Sequence, residues 1–131
     1  DMYREAIDHI RELQRAGKAV GLATTSLDIL VAPMARYLNI DVVLATGLEY
    51  RDGLSTGRTV DAPCFGREKR RRVLDYLHRE GISPAHCGFY SDSKYDLPLL
   101  EAVGEPVAVN PDRGLRRRAQ RANWSIRHFR S

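Results

Sequence analysis

Cysteine is scarce in this chain of 131 residues: Cys64 and Cys87 are the only two. They form no CxxC pair and are too few for a disulfide framework, so they read as buried or idle reduced thiols. His86 stands beside Cys87, but no second pair at ligand spacing accompanies it, which argues against zinc. Long apolar runs are missing too. Stretches such as Ala19 to Ala23 and Val42 to Ala45 fall far short of the about 20 residues of a membrane span. Asp1, Arg4, Glu5 and Asp8 interrupt any apolar run at the start, so no signal peptide is read there, and the chain reads as soluble and cytoplasmic.

Aromatic residues amount to 8%, and this bears on the net charge of +4. Arginines cluster at Arg67 and Lys69 to Arg72, and again at Arg113, Arg116 to Arg118, Arg121, Arg127 and Arg130. They lack the regular aromatic interleaving of a stacking platform for nucleic acid, and Asp75, Glu80 and Glu101 are scattered along the same stretch. A solvated basic helix face is the simpler reading. Such a surface would also speed the encounter with a small anionic substrate. With 43% hydrophobic and 29% charged residues, residues 1–131 have the composition of a single globular domain.

What is present is an alternation of helical and strand patterns. Residues 2–16 place Ile7, Ile10, Leu13 and Ala16 on one helical face, and Gly17 follows as a stop. The apolar run 19–25 reads as a buried parallel strand. Residues 27–38 predict a helix that Pro33 bends or restarts. Residues 42–46 read as a second strand, and 47–60 as a small β-hairpin flap around Asp52-Gly53. A helix over 68–80 turns Val73, Leu74 and Leu77 inward. Then come a strand at 87–92, a helix in LPLLEAVG (97–104), a strand at 106–110 and a fifth strand at 125–129. Repeated strand–helix units predict an α/β fold, a Rossmann-like parallel sheet flanked by helices.

In such sheets ligands bind at the carboxyl ends of the strands, where Thr24, Thr25, Ser26, Ser91, Asp92, Asn110 and Asp112 gather. Asp92 and Asp96, four apart at a strand-to-helix junction, are oxygen ligands of the kind magnesium takes. They are equally well read as a helix cap and a first-turn charge. Thr24-Thr25-Ser26 offers hydroxyls and N–H groups as a phosphate cradle, or an ordinary N-cap. Lys69, near the start of its helix, is placed to neutralise a phosphate or to lie on the surface.

The succession LATTS, GREK and YSDSKYDLPLL with VAVNPD closely resembles the haloacid dehalogenase superfamily, in its subfamily IB, phosphoserine-phosphatase-like branch. The resemblance runs from about residue 2 to residue 129 and implies a magnesium-dependent phosphomonoester hydrolase. It gives Thr24 and Lys69 catalytic and phosphate-binding roles, with Thr25 and Ser26 also at the phosphate. Asp92 becomes the acidic magnesium ligand, and Asp96 the second acid of the metal site. The implied partner is a small phosphorylated substrate, phosphoserine or a similar monoester, handled through an aspartyl-phosphate.

Two departures qualify the match. The family's nucleophile is the first aspartate of a DxDxT strand, and this sequence contains no DxD. The first central strand and the cap behind it are therefore expected to belong to a longer polypeptide, with these residues alone inactive. Tyr95 stands where phosphoserine phosphatases carry Asn in GDGxND, so specificity for serine phosphate does not follow. The alternative is a catalytically inactive fragment or module that keeps the fold and binds phosphate or a partner.

Overall fold

The computed structural model describes residues 4–60 and 62–130; residues 2 and 3 of the expected first helix lie outside them. Helix α1 (Arg4–Arg15) leads to strand β1 (Gly21–Leu27), helix α2 (Asp28–Tyr37) and strand β2 (Val42–Thr46). A hairpin of β3 (Leu48–Arg51) and β4 (Leu54–Thr59) comes next, then helix α3 (Gly66–Arg79) and β5 (Gly88–Ser91). A 3-10 turn, Lys94–Asp96, runs into the short helix α4 (Leu97–Leu100). Strand β6 (Glu105–Val109), helix α5 (Arg113–Ala122) and β7 (Ser125–Arg127) complete the order.

The parallel pattern is present, but it comes in two pieces. β1 pairs in parallel with β2, while β5, β6 and β7 form a separate parallel sheet in that order. Each piece has its own core. Ala35, Leu38 and Ile40 pack with Ile7 and Ile10 of α1 and with Leu22 and Val43 of the first sheet. Leu100, Ala108, Leu115 and Ala119 pack with Phe89, Trp124 and Ile126 on the second. Fully buried leucines such as Leu38, Leu100 and Leu115 each contribute roughly 1.5–3 kcal/mol.

Two helices hold the pieces together. α3 packs on β1 and β2 and also on α4 and the turn before it. α1 reaches the second sheet through His9, whose Nε2 is 2.9 Å from the Tyr90 hydroxyl. At its start, the Glu5 N–H donates to the Arg130 carbonyl. Between the pieces lies a cavity of about 670 Å³, walled by the backbones of Gly21–Thr25 on one side and Gly88–Asp92 on the other. Among the described residues, β1 and β5 are each hydrogen-bonded into a sheet on one side only.

Local differences from the sequence reading have local causes. β1 extends to Leu27, so Thr24–Ser26 lie within the strand; β-branched threonines suit its pleat, and the register shifts between Ala23 and Leu27. Pro33 neither stops nor restarts α2, which runs through it. LPLLEAVG is helical only to Leu100, because Gly104 must pass against the Ala85 carbonyl. The last strand stops at Arg127, where the Asn110 side chain takes over by bonding both the N–H and the carbonyl of Phe129, at 2.9 Å each. α5, whose arginines were read only as a basic helix face, is capped by the Asp112 carboxylate at Leu115 N and ended by Asn123 at φ 58°. The hairpin turn Asp52-Gly53 has positive φ at both residues, as a type I′ turn requires.

Two measurements test this packing. A Cβ added at Gly104 would sit 1.8 Å from the Ala85 carbonyl oxygen, so backbone must move. Gly104→Ala should cost about 1–3 kcal/mol in urea unfolding, as overpacking does. His9 is held below its ordinary pKa of 6.5 by desolvation first and by the Arg127 charge second, with Glu12 opposing. Its neutral form therefore belongs to the folded state, and its contribution is lost as pH falls from 6.5 through the lowered value. Melting temperature should decline over that interval, and decline less in His9→Gln; parallel curves would refute the linkage.

Candidate active site at the carboxyl ends of the strands

Thr24, Thr25, Lys69, Ser91, Asp92 and Asp96 all line the cavity between the sheets. Three elements deliver them: β1 the threonines, α3 the lysine, and the end of β5 with its following turn the two aspartates. Ser26 is exposed and is not on the cavity wall; its N–H donates to Thr24 Oγ1 at 3.1 Å. That contact uses an acceptor position of the Thr24 hydroxyl and leaves its proton free to donate.

Lys69 is buried rather than on the surface, at 7% exposure. Its Nζ lies 2.9 Å from Asp96 Oδ1, and the other Asp96 oxygen accepts from the Ser91 hydroxyl at 2.5 Å. Each Asp96 oxygen thus has one partner, a cation on one and a hydroxyl on the other. A lysine ammonium has three protons, so Lys69 keeps donors for a second anion. Asp92 differs: it is exposed, and among the described residues its carboxylate has no hydrogen-bond or ion-pair partner. Its main-chain carbonyl accepts from Asp112 N at 3.0 Å, which ties the loop after β6 to the end of β5.

Neither aspartate serves as a helix cap. Ser93 caps the turn by accepting from Tyr95 N at 3.1 Å, and Asp96 makes no capping bond at α4. Nor do the threonines cap α2, whose N-cap is Leu27 without a side-chain bond. Among the described residues no group of three or more His, Cys, Asp or Glu side chains is arranged to hold a metal. With Asp96 engaged, the donor set is one free carboxylate. That fits a magnesium ion which takes one or two carboxylates and fills its shell with water and phosphate oxygens.

A supporting layer went unread in the sequence. The Thr46 hydroxyl donates to the Thr25 carbonyl at 2.7 Å and accepts from Cys64 N at 3.0 Å, while Thr25 Oγ1 donates to the Cys64 carbonyl at 3.0 Å. Arg72 donates to the Ala45 and Ala62 carbonyls at 2.7 and 2.6 Å and to Glu68 at 2.9 Å. The fully buried Cys64 is therefore a structural pin, its thiol pushed up mainly by burial. Arg71 and Arg72 hold the Glu68 carboxyl down at about 2 through their hydrogen bonds. Together these contacts fix the entry to α3, and so the position of Lys69. Ser91 had a legible signal, a hydroxyl immediately before the first aspartate; the Cys64–Thr46 contacts had none, being 18 residues apart.

Fold and site together define an α/β protein with a polar crevice at its strand ends. The chain belongs to the haloacid dehalogenase-like hydrolases, whose family model matches residues 1–101. It is 41% identical over 127 residues to a phosphoserine phosphatase of Mycobacterium tuberculosis, covering 94% of this chain and 41% of that protein. A histidinol-phosphatase of Neisseria meningitidis is 34% identical over 135 residues, covering 94% and 61%. Among solved structures, a Bordetella pertussis protein of unknown function superposes with a TM-score of 0.86 at 40% identity, over 93% of this chain and 56% of that one. The chain thus spans about half the length of the proteins it matches.

The buried ion pair can be tested by a double-mutant cycle. Lys69→Met and Asp96→Leu should each cost about 3 kcal/mol, because each leaves a charge buried without its partner. The double variant should cost less than the sum. Additive losses in urea unfolding would mean that the two side chains do not stabilise one another.

Proposed function

We propose that these residues are the phosphate- and metal-binding portion of a magnesium-dependent phosphomonoester hydrolase. The observation that carries this reading is the convergence of a buried lysine, a threonine hydroxyl and a free aspartate on one crevice. Lys69 neutralises phosphate oxygens with the protons that Asp96 does not take. Thr24 donates its hydroxyl proton to the transferring group. Thr25 lines the same crevice beside Thr24. Asp92 would hold magnesium, with Asp96 keeping Lys69 oriented. Bound magnesium would supply charge neutralisation for phosphoryl transfer, which depends on positioning and electrostatics more than on covalent chemistry from the protein.

The nucleophile of this reading is an aspartate outside these 131 residues. The slot between β1 and β5 supports that assignment, since a strand lying in it would pair with both free edges. The end of such a strand would emerge between Thr24 and Asp92, where a carboxylate could attack phosphorus and form an aspartyl-phosphate. The names of the matched relatives favour a small phosphate ester as substrate, with phosphoserine as the first to try.

The test is magnesium-dependent phosphate release from phosphoserine and an aryl phosphate. It compares this chain with a version extended at its N-terminus by a DxDxT strand. Turnover should appear only in the extended form and fall at least 100-fold in its Asp92→Asn variant, a loss in the range set by removing one key electrostatic group. Turnover by the short form would overturn the account of the nucleophile. Silence in both would favour a phosphate-binding module that keeps the fold without the reaction.

A further inference from the structure

Two large aromatic side chains stand exposed at the mouth of the same cavity. Phe65 is 46% and Tyr95 is 54% exposed, yet their rings pack against each other with centroids 5.1 Å apart at 41°. Both line the cavity along with Lys69, Asp92 and Asp96. Each is anchored to one partner of the buried ion pair. The Phe65 carbonyl accepts from Lys69 N at 3.4 Å, one helical turn away, and Tyr95 directly precedes Asp96. Lys94 Nζ lies 5.4 Å from the Tyr95 ring centroid, a cation–π contact that further fixes the ring. The pair is therefore held in place without being covered.

On the phosphatase reading above, we propose that Phe65 and Tyr95 are specificity-determining residues that favour phosphomonoesters of a flat aromatic or heteroaromatic alcohol. An exposed apolar patch beside convergent polar groups is the composition of a ligand pocket rather than of ordinary surface. A phosphate held at Thr24 and Lys69 would lie in the cavity that the two rings also line, where a planar ester group can stack on them in offset or edge-to-face contact. A zwitterionic alcohol such as serine would instead need ionic partners there. Among the described residues, the Lys, Arg, His, Asp and Glu side chains on the cavity wall are His9, Lys69, Asp92 and Asp96. His9 is bonded to Tyr90, Lys69 is paired with Asp96, Asp92 is the metal ligand of the reading above, and Lys94, just off the wall, lies over the Tyr95 ring.

Calorimetric titration with phenyl phosphate and ethyl phosphate tests this without requiring turnover. It would be run on this chain and on the extended version, and repeated in Phe65→Leu and Tyr95→Leu, which keep an apolar side chain at an exposed position. Phenyl phosphate should bind about tenfold tighter than ethyl phosphate, and each variant should lose most of that advantage. Equal binding of the two esters, or a preference that survives both substitutions, would overturn the proposal. Rings already covered by the added segment would give equal binding in the extended form and overturn it as well. Hydrolysis measured alongside separates this idea from the one beneath it. Ring preference without hydrolysis in the extended form sinks the phosphatase reading and leaves the aromatic pocket. Hydrolysis without ring preference, seen as equal kcat/KM for the two esters, does the reverse.

Discussion

The ion pair between Lys69 and Asp96 is the contact on which the site depends. It joins α3, packed on the first sheet, to the turn that follows the second, and it does so where little water enters. A buried pair is poor evidence for net stability, since desolvation offsets much of the attraction. Its value here is positional. Ser91 donates to the second Asp96 oxygen, and no buried side-chain polar atom among the described residues lacks a partner. The lysine ammonium is consequently held at a fixed point facing the crevice, with protons to spare.

Around that contact the molecule is built as two half-sheets with separate cores. Helices normally cover both faces of a parallel sheet whose strands run on without interruption. Among the described residues the two pieces are joined by α3 and by the α1 contacts to Tyr90 and Arg130. The Thr25–Cys64–Thr46 contacts and the Arg72 clamp tie the carboxyl end of the first sheet to the entry of α3.

Much of this was legible in the residues. Apolar periodicity placed the helices and the buried strands, and the Asp52-Gly53 pair located the hairpin turn because few other dipeptides tolerate two positive φ values. The rule that ligands gather at strand ends pointed to Thr24 and Asp92, and the four-residue spacing to Asp96; the structure puts all three on one cavity. What stayed hidden was whatever depends on contacts between distant residues. Nothing local in GREK says that Lys69 is buried, because burial comes from Asp96, 27 positions later. The early end of α4 follows from a close approach of Gly104 to Ala85, not from helix propensity. β1 ran longer than its apolar residues because threonine is at home in a strand whether or not it faces the core.

Charge is one reason to propose a cation in this crevice. Asp92 and Asp96 bring two negative charges to it, Lys69 brings one positive charge, and Lys94 stands beside Tyr95 just off the cavity wall. The protein groups therefore come close to neutrality by themselves. A phosphate ester entering near neutral pH carries between one and two further negative charges, and the crevice has no arginine among its described lining residues to meet them. The arginines are elsewhere: Arg72 is spent on carbonyls and Glu68, and Arg118 of α5 pairs with Glu101. On the proposed reading, a divalent ion on the free Asp92 carboxylate would restore the balance where Lys69 alone falls short. The unpaired Asp92 and the lysine-paired Asp96 would then be two sides of one arrangement, one carboxylate for the metal and the other for the lysine.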